Sequence, residues 1–273
     1  MTIKKSDYPE KLRLADFLRE PVIRRAIGDL RLNTGMNVLD AGCGIGSCLP
    51  LLAEQVGPSG HVTGLDISDE LLSIARQRVH DDGLENRVTL VQGDVNDLLF
   101  TQDSFDCAVS VDCVGYPFSS KPVALLREFG RVVKPGGTVA MMGWTYQQLL
   151  PGYPLLESKL NTASSLVVPP GTDGGPEAHF LRAKGWFQKA GFADTGARSY
   201  AGDISGPLSH EEKEAVRAIF DMLWENARPA VSNDEWQLYQ RISESGSEEY
   251  ILDRPDYYGF FLYTCFEGYV PGK

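Results

Sequence analysis

Several things are scarce in this sequence, and each scarcity excludes a class of protein. No segment approaches the roughly 20 apolar residues needed to cross a bilayer. The opening MTIKKSDYPE holds no apolar run of signal-peptide type. No membrane span is therefore expected, and a cytoplasmic location is. Cysteine is limited to five positions, Cys43, Cys48, Cys107, Cys113 and Cys265. The number is odd and no two pairs share metal-ligand spacing, so free thiols are expected, with neither a disulfide framework nor a metal site. Basic residues are outnumbered, 26 Lys and Arg against 37 Asp and Glu, for a net charge of -11. Nucleic-acid backbones are gripped by Lys and Arg, so no nucleic-acid partner is expected and a small-molecule substrate is. The acidity itself reads as solubility. Histidine is limited to four positions: His61 at the start of a strand, His80 on a surface helix, and His179 and His210 farther along.

What is present has a clear order. Residues 8 to 30 read as one or two amphipathic helices, broken at Pro21, within a helical amino-terminal region spanning 8–34. Short apolar runs then alternate with helical patterns, the signature of a parallel sheet built from strand–helix–strand units. Strands are predicted at 37–42, 61–66, 88–92, 105–111 and 138–144. Helices are predicted at about 47–56, through Leu71, Leu72, Ala75 and Val79, and at 122–133. Lys134-Pro135-Gly136-Gly137 reads as a turn.

Past Trp144 the alternation stops. Residues 146–176 are rich in Pro and Gly and read as an irregular insertion. A helix from about Glu177 to Ala190 and a strand near Asp194 to Tyr200 resume the pattern. Ser209 with Glu212, and Ser232 with Glu235, each have the spacing of a capping box ahead of an apolar stripe. The run YYGFFLYTCF at 257–266 is a last strand. One α/β domain is expected, with a core at 35–145, insertions at 146–176 and 205–250, and final strands within 190–204 and 257–267. The insertions are expected to act as a helical lid.

The chemistry-bearing signal is VLDAGCGIG at 38–46, an apolar strand running into Asp40, Gly42, Gly44 and Gly46. Glycines there let backbone approach a ligand that a Cβ would exclude. Asp66 ends the next strand, twenty residues past Gly46. An acid at that place suits ribose hydroxyls. Asp94 in GDVND follows the third strand, with Val95 beside it. Three acids thus mark the carboxyl ends of three successive strands, the rim where open α/β sheets bind ligands.

Taken together, VLDAGCGIG, LDIS, GDVNDL, FDCAVSVD and REFGRVVKPGGTV closely resemble the class I S-adenosylmethionine-dependent methyltransferases. The subgroup most resembled includes the ubiquinone and menaquinone biosynthesis enzymes. The resemblance covers about residues 35 to 145. It implies a Rossmann-like, seven-stranded, mostly parallel sheet flanked by helices. It also implies S-adenosyl-L-methionine as cofactor and methyl transfer to an O, N or C nucleophile of a small or medium organic acceptor, leaving S-adenosylhomocysteine. By position, Asp40 matches the acid near the methionine amino group, and Gly42, Gly44 and Gly46 the loop beneath methionine and ribose. Asp66 matches the ribose acid, Ile67 the residue beside the adenine, Asp94 and Val95 the adenine contacts, and Val111 a carbonyl facing the amino group.

Two departures matter. Val111 stands where Asn is common, so only a backbone role carries over. Tyr116 stands where His is common, so no general base carries over with it. Tyr116 and His179 are the candidates for a catalytic group, neither with a motif behind it. A nicotinamide-dependent oxidoreductase is the alternative of another class, but it needs G-x-G-x-x-G and residue 47 is Ser. A non-catalytic S-adenosylmethionine-binding protein is the other.

Overall fold

The computed structural model describes residues 8–113, 121–163 and 175–272. Its central feature is one seven-stranded sheet with strand order β3-β2-β1-β4-β5-β7-β6. The strands are β1 (Asn37–Ala41), β2 (His61–Asp66), β3 (Val88–Gln92), β4 (Phe105–Val111), β5 (Val133–Gln148), β6 (Ala193–Ser205) and β7 (Tyr258–Tyr269). Between them run helices α1 (Tyr8–Asp29), α2 (Leu49–Val56), α3 (Asp69–Asp81), α4 (Pro122–Val132), α5 (Pro154–Asn161), α6 (Ala183–Ala190), α7 (His210–Trp224) and α8 (Asn233–Ser243). Strands β1 to β5 pair in parallel, β1 lying between β2 and β4. The expected Rossmann-like α/β sheet is the observed one. Among the described residues, no helix is long and apolar enough to cross a membrane, and no His, Cys, Asp and Glu cluster has the makings of a metal site.

The described residues group into two compact units, one of 23–113, 121–144, 175–200 and 263–272, the other of 8–22, 145–163 and 201–262. In the first unit, the apolar faces of β1, β4 and β5 meet α4 and α6. Leu39, Ala108, Val139 and Met141 pack with Leu126, Phe129, Trp186, Phe187 and Phe266 in one buried cluster. Leu49, Leu52, Leu72 and Ala75, from α2 and α3, are equally buried. Each of the large apolar side chains among them contributes roughly 1.5–3 kcal/mol of burial, enough to fix the strand ends that matter below.

The second unit has a core the sequence does not advertise. Trp224 of α7 is fully buried, with the Phe220 ring 5.1 Å and the Tyr239 ring 6.0 Å away. Its Nε1 donates to Asn161 Oδ1 at 2.7 Å, and Gln147 Nε2 donates to the same oxygen at 2.8 Å. Glu157 is wholly buried and accepts the amides of Leu149 and Leu150 at 2.7 and 2.9 Å, while Tyr257 donates to the Leu149 carbonyl. Burial pushes the Glu157 carboxyl up, against the pull of those two amides. Both capping boxes form as the spacing predicts, Ser209 with Glu212 and Ser232 with Glu235.

Four local expectations are corrected. Pro21 does not break the first helix: α1 runs through it, because Ala15 on one side and Val22, Ile23, Ala26 and Ile27 on the other are buried, outweighing a penalty of roughly 3 kcal/mol. Lys134 to Gly137 lie inside β5, not ahead of it. The turn chemistry there makes a register shift, with Phe105 opposite Val133 but Cys107 opposite Thr138. Gly136 takes a φ of 80° and donates its amide to Val270. Residues 146–176 are not irregular throughout: β5 continues to Gln148 and α5 follows. Pro154 starts that helix, since a missing N–H costs nothing in the first turn. The helix expected from Glu177 begins as single tight turns at Gly175–Ala178 and Phe180–Arg182, and is α-helical only from Ala183.

The Glu157 carboxylate makes a direct prediction. Glu157→Ala leaves two buried amides unpaired and should cost about 2–5 kcal/mol, read from urea denaturation followed by tryptophan fluorescence. A cost below about 0.5 kcal/mol, the scatter of an ordinary surface substitution, would show the cluster to be incidental.

Candidate functional site

The site is assembled from the carboxyl ends of β1, β2, β3 and β4, which parallel pairing brings to one edge of the sheet. Ala41 stands opposite Leu65, Asp66 opposite Gln92, and Asp40 opposite Val109. After Ala41 the chain turns sharply. The amides of Gly42 and Cys43 both donate to the Leu65 carbonyl, at 2.7 and 2.9 Å. Gly42 has a φ of 80°, and a Cβ on it would stand 2.5 Å from the Cys113 Cβ. Glycine is required there on both counts. Gly44 also has a positive φ, 54°, but among the described residues no neighbouring atom lies within 4 Å of where its Cβ would be. The loop is therefore packed hard beneath Gly42 and open beside Gly44, the arrangement of a cradle for a ligand.

Asp66 fastens this loop. Its Oδ2 accepts the Gly44 amide and its Oδ1 the Ser68 amide, each at 2.9 Å. Ser68 in turn caps α3 through the Leu71 amide, so the cap of that helix is a separate residue from the acid. A carboxylate has about four acceptor positions, and Asp66 keeps capacity for further donors.

Asp40 is the anomaly of the site. It is 1% exposed, and among the described residues no donor or acceptor reaches its Oδ2. Burial first, and the neighbouring Asp66 charge second, push its carboxyl up to about 7. A buried carboxylate without a partner is costly. A cation placed beside it removes that cost, so the residues present fit a ligand with a positively charged group.

The other predicted residues fall on the same edge with less structural commitment. Asp94 is exposed, and its Oδ1 takes the amide and side-chain nitrogen of Asn96, which hold its carboxyl below the usual range. Val95 is half-buried and Ile67 is 67% exposed, leaving an isoleucine face next to Asp66 in solvent. Val111 is buried at the end of β4. Cys113, which sequence reasoning did not single out, is the floor under Gly42. Burial, then the charges of Asp66, Asp40, Asp112 and Asp94, push its thiol up to about 12. The only hint in the sequence is a glycine with no Cβ at position 42, which demands that something fill its place.

Of the two catalytic candidates, Tyr116 lies outside the described residues. His179 is half-buried, and its Nδ1 accepts the Leu181 amide at 3.2 Å as the cap of a short turn. His61 faces Thr89 and His80 faces Glu85.

The fold is Rossmann-like, and residues 38–137 match the family described as "Methyltransferase domain". The particular likeness is to demethylmenaquinone methyltransferases. That of Listeria welshimeri is 39% identical over 126 residues, 45% of this chain and 51% of the relative. The chain spans about half the length of the curated relatives it matches. Among solved structures, a SAM-dependent methyltransferase from Aquifex aeolicus superposes with a TM-score of 0.52 at 24% identity, covering 71% of this chain and 91% of that one. Phosphoethanolamine N-methyltransferase 2 of Haemonchus contortus, in complex with S-adenosyl-L-methionine, does so with 0.52 at 22% identity, covering 93% and 52%. These two likenesses establish the fold.

The carboxyl of Asp40 predicts a pH signature in the ligand-free protein. Its folded pKa, about 7, lies above the unfolded value near 3.9. Below about pH 4 both states are protonated and Asp40 exacts no penalty. As pH rises toward 7 the unfolded state ionises first, so stability falls, and above about 7 the penalty is complete. Asp40→Asn should match wild type near pH 4 and exceed it in stability at pH 8. Equal unfolding midpoints at pH 8 would contradict the assignment.

Proposed function

We propose that this protein transfers a methyl group from S-adenosyl-L-methionine to a small or medium organic acceptor, leaving S-adenosylhomocysteine. The observation that carries the reading is the buried Asp40 carboxyl, whose Oδ2 has no hydrogen-bond partner among the described residues, on the strand that leads into the glycine loop. S-adenosylmethionine supplies an activated methyl on a sulfonium, so the protein need not build a nucleophile of its own. Asp40 is assigned as counter-charge to the methionine amino group, with the carbonyl of Val111 beside it. Gly42, Gly44 and Gly46 form the bed of the methionine and ribose. Asp66 accepts from the ribose hydroxyls while keeping the Gly44 amide. Ile67 and Val95 sandwich the adenine, and Asp94 accepts from its amino group. The remaining task is alignment of the acceptor in line with the methyl, which needs positioning more than acid–base chemistry.

Several facts support this over a nicotinamide enzyme. The chain is 39% identical to a demethylmenaquinone methyltransferase over 126 residues, and an acidic edge suits a cationic ligand better than a pyrophosphate.

Calorimetry with S-adenosylhomocysteine and NAD tests the reading. Binding of the first and not the second is expected, and NAD binding alone would end the proposal. Asp66→Ala should weaken S-adenosylhomocysteine by roughly 1.5–3 kcal/mol, the worth of hydrogen bonds to a charged acceptor. An unchanged dissociation constant would remove Asp66 from the site.

A further inference from the structure

Asp112, immediately after β4, adopts a φ of 50°. The left-handed region is disfavoured for most residues with a Cβ, Asp and Asn tolerating it best, so it persists where the surroundings hold it. Here the surroundings do enforce it. The Asp112 amide donates to the Met142 carbonyl at 2.9 Å. Its Oδ1 accepts the Trp144 amide at 3.0 Å, and its Oδ2 accepts the Tyr263 hydroxyl at 2.6 Å. Tyr263 is 1% exposed, and its ring stands edge-on to Trp144 at 5.6 Å. The next residue is Cys113, whose side chain fills the place that a Cβ on Gly42 would occupy.

From these contacts we infer that Asp112 is a positioning residue: clamped by Tyr263 of β7 and the Trp144 backbone, it holds the turn that seats Cys113 beneath the glycine loop. The inference rests on the proposed cofactor reading only for its functional consequence. The chain of contacts runs from Tyr263 through Asp112 to Cys113 and then Gly42, the residue that opens the loop. Loss of the clamp frees the turn to leave the left-handed region, withdraws Cys113 and lets the loop sag.

Two readouts test this, and the first is independent of any ligand. Alkylation of Cys113 by N-ethylmaleimide, followed by mass spectrometry of the peptide, reports whether the thiol stays seated, with buried Cys107 as the internal standard. Asp112→Ala should alkylate at Cys113 about tenfold faster, the worth of one or two hydrogen bonds, with Cys107 unchanged. Asp112→Asn, whose side chain tolerates this backbone and keeps an acceptor, should stay near wild type. Asp112→Gly separates strain from clamping, because it keeps the backbone freedom and loses the carboxylate. It should behave like Ala. Should Asp112→Ala fail to fold, Tyr263→Phe, which removes one hydroxyl, carries the same expectation at about threefold or more, a single hydrogen bond's share.

The second readout is the S-adenosylhomocysteine dissociation constant, expected to rise about tenfold in Ala and Gly and to be restored in Asn. Wild-type labelling rates in both Ala and Gly would overturn the inference, as would Gly matching wild type while Ala does not. If wild type binds no S-adenosylhomocysteine, the cofactor reading fails, while the labelling result still decides the role of Asp112.

Discussion

The structure turns on a buried carboxyl, one oxygen of which has no hydrogen-bond partner among the described residues. Asp40 sits near the end of β1, between the parallel strands β2 and β4, and is 1% exposed. Nothing in the described part of the chain neutralises its second oxygen, and its nearest charged influence, Asp66, has the same sign. Such an arrangement costs stability in the free protein. A cation beside it would offset that cost, which is the ground of the proposed function. The glycine loop keeps Cβ atoms out of the way, and Asp66 ties the loop down through the Gly44 amide without surrendering all of its acceptor capacity.

Position follows from packing. The carboxyl ends of β1 to β4 come level because each strand is in register with its neighbour and the helices on the sheet are anchored by large buried side chains. The loop's own geometry then depends on contacts from farther along the chain. Cys113 supports Gly42 from below, and the conformation that delivers Cys113 is held by Tyr263, 151 residues after Asp112. The last strand of the fold is in this way tied to the glycine turn after β1.

Much of this was legible in the sequence, for a physical reason. Parallel strands are continuous apolar runs, so β1 to β4 could be bounded within a residue or so, and Ser209 and Ser232 announced α7 and α8 by side-chain spacing alone. The place of Asp40, the three glycines and Asp66 in the turn was legible because a tight strand–loop–helix turn admits few other residue types. What was hidden depends on contacts distant in sequence. Pro21 looked like a break because the burial on both sides of it is a tertiary property. Pro151, Gly152 and Pro154 looked like loop because the anchor of α5, Glu157 buried against the Leu149 and Leu150 amides, has no local signature. Cys113 and Asp112 were missed for the same reason: a strained turn and its clamp are visible only when β4, β5 and β7 are brought together.

Proton release on binding tests the central claim most directly. Calorimetric titration of S-adenosylhomocysteine at pH 7, repeated in buffers of different ionisation enthalpy, counts the protons exchanged. A carboxyl with a pKa of about 7 is half protonated there, and a cationic amino group placed against it expels that share. The account predicts about half a proton released per ligand bound by the wild type, and none released by Asp40→Asn. Tight binding with the same proton count in both proteins would contradict it, and would mean that the unpaired carboxyl of Asp40 is not what the ligand neutralises.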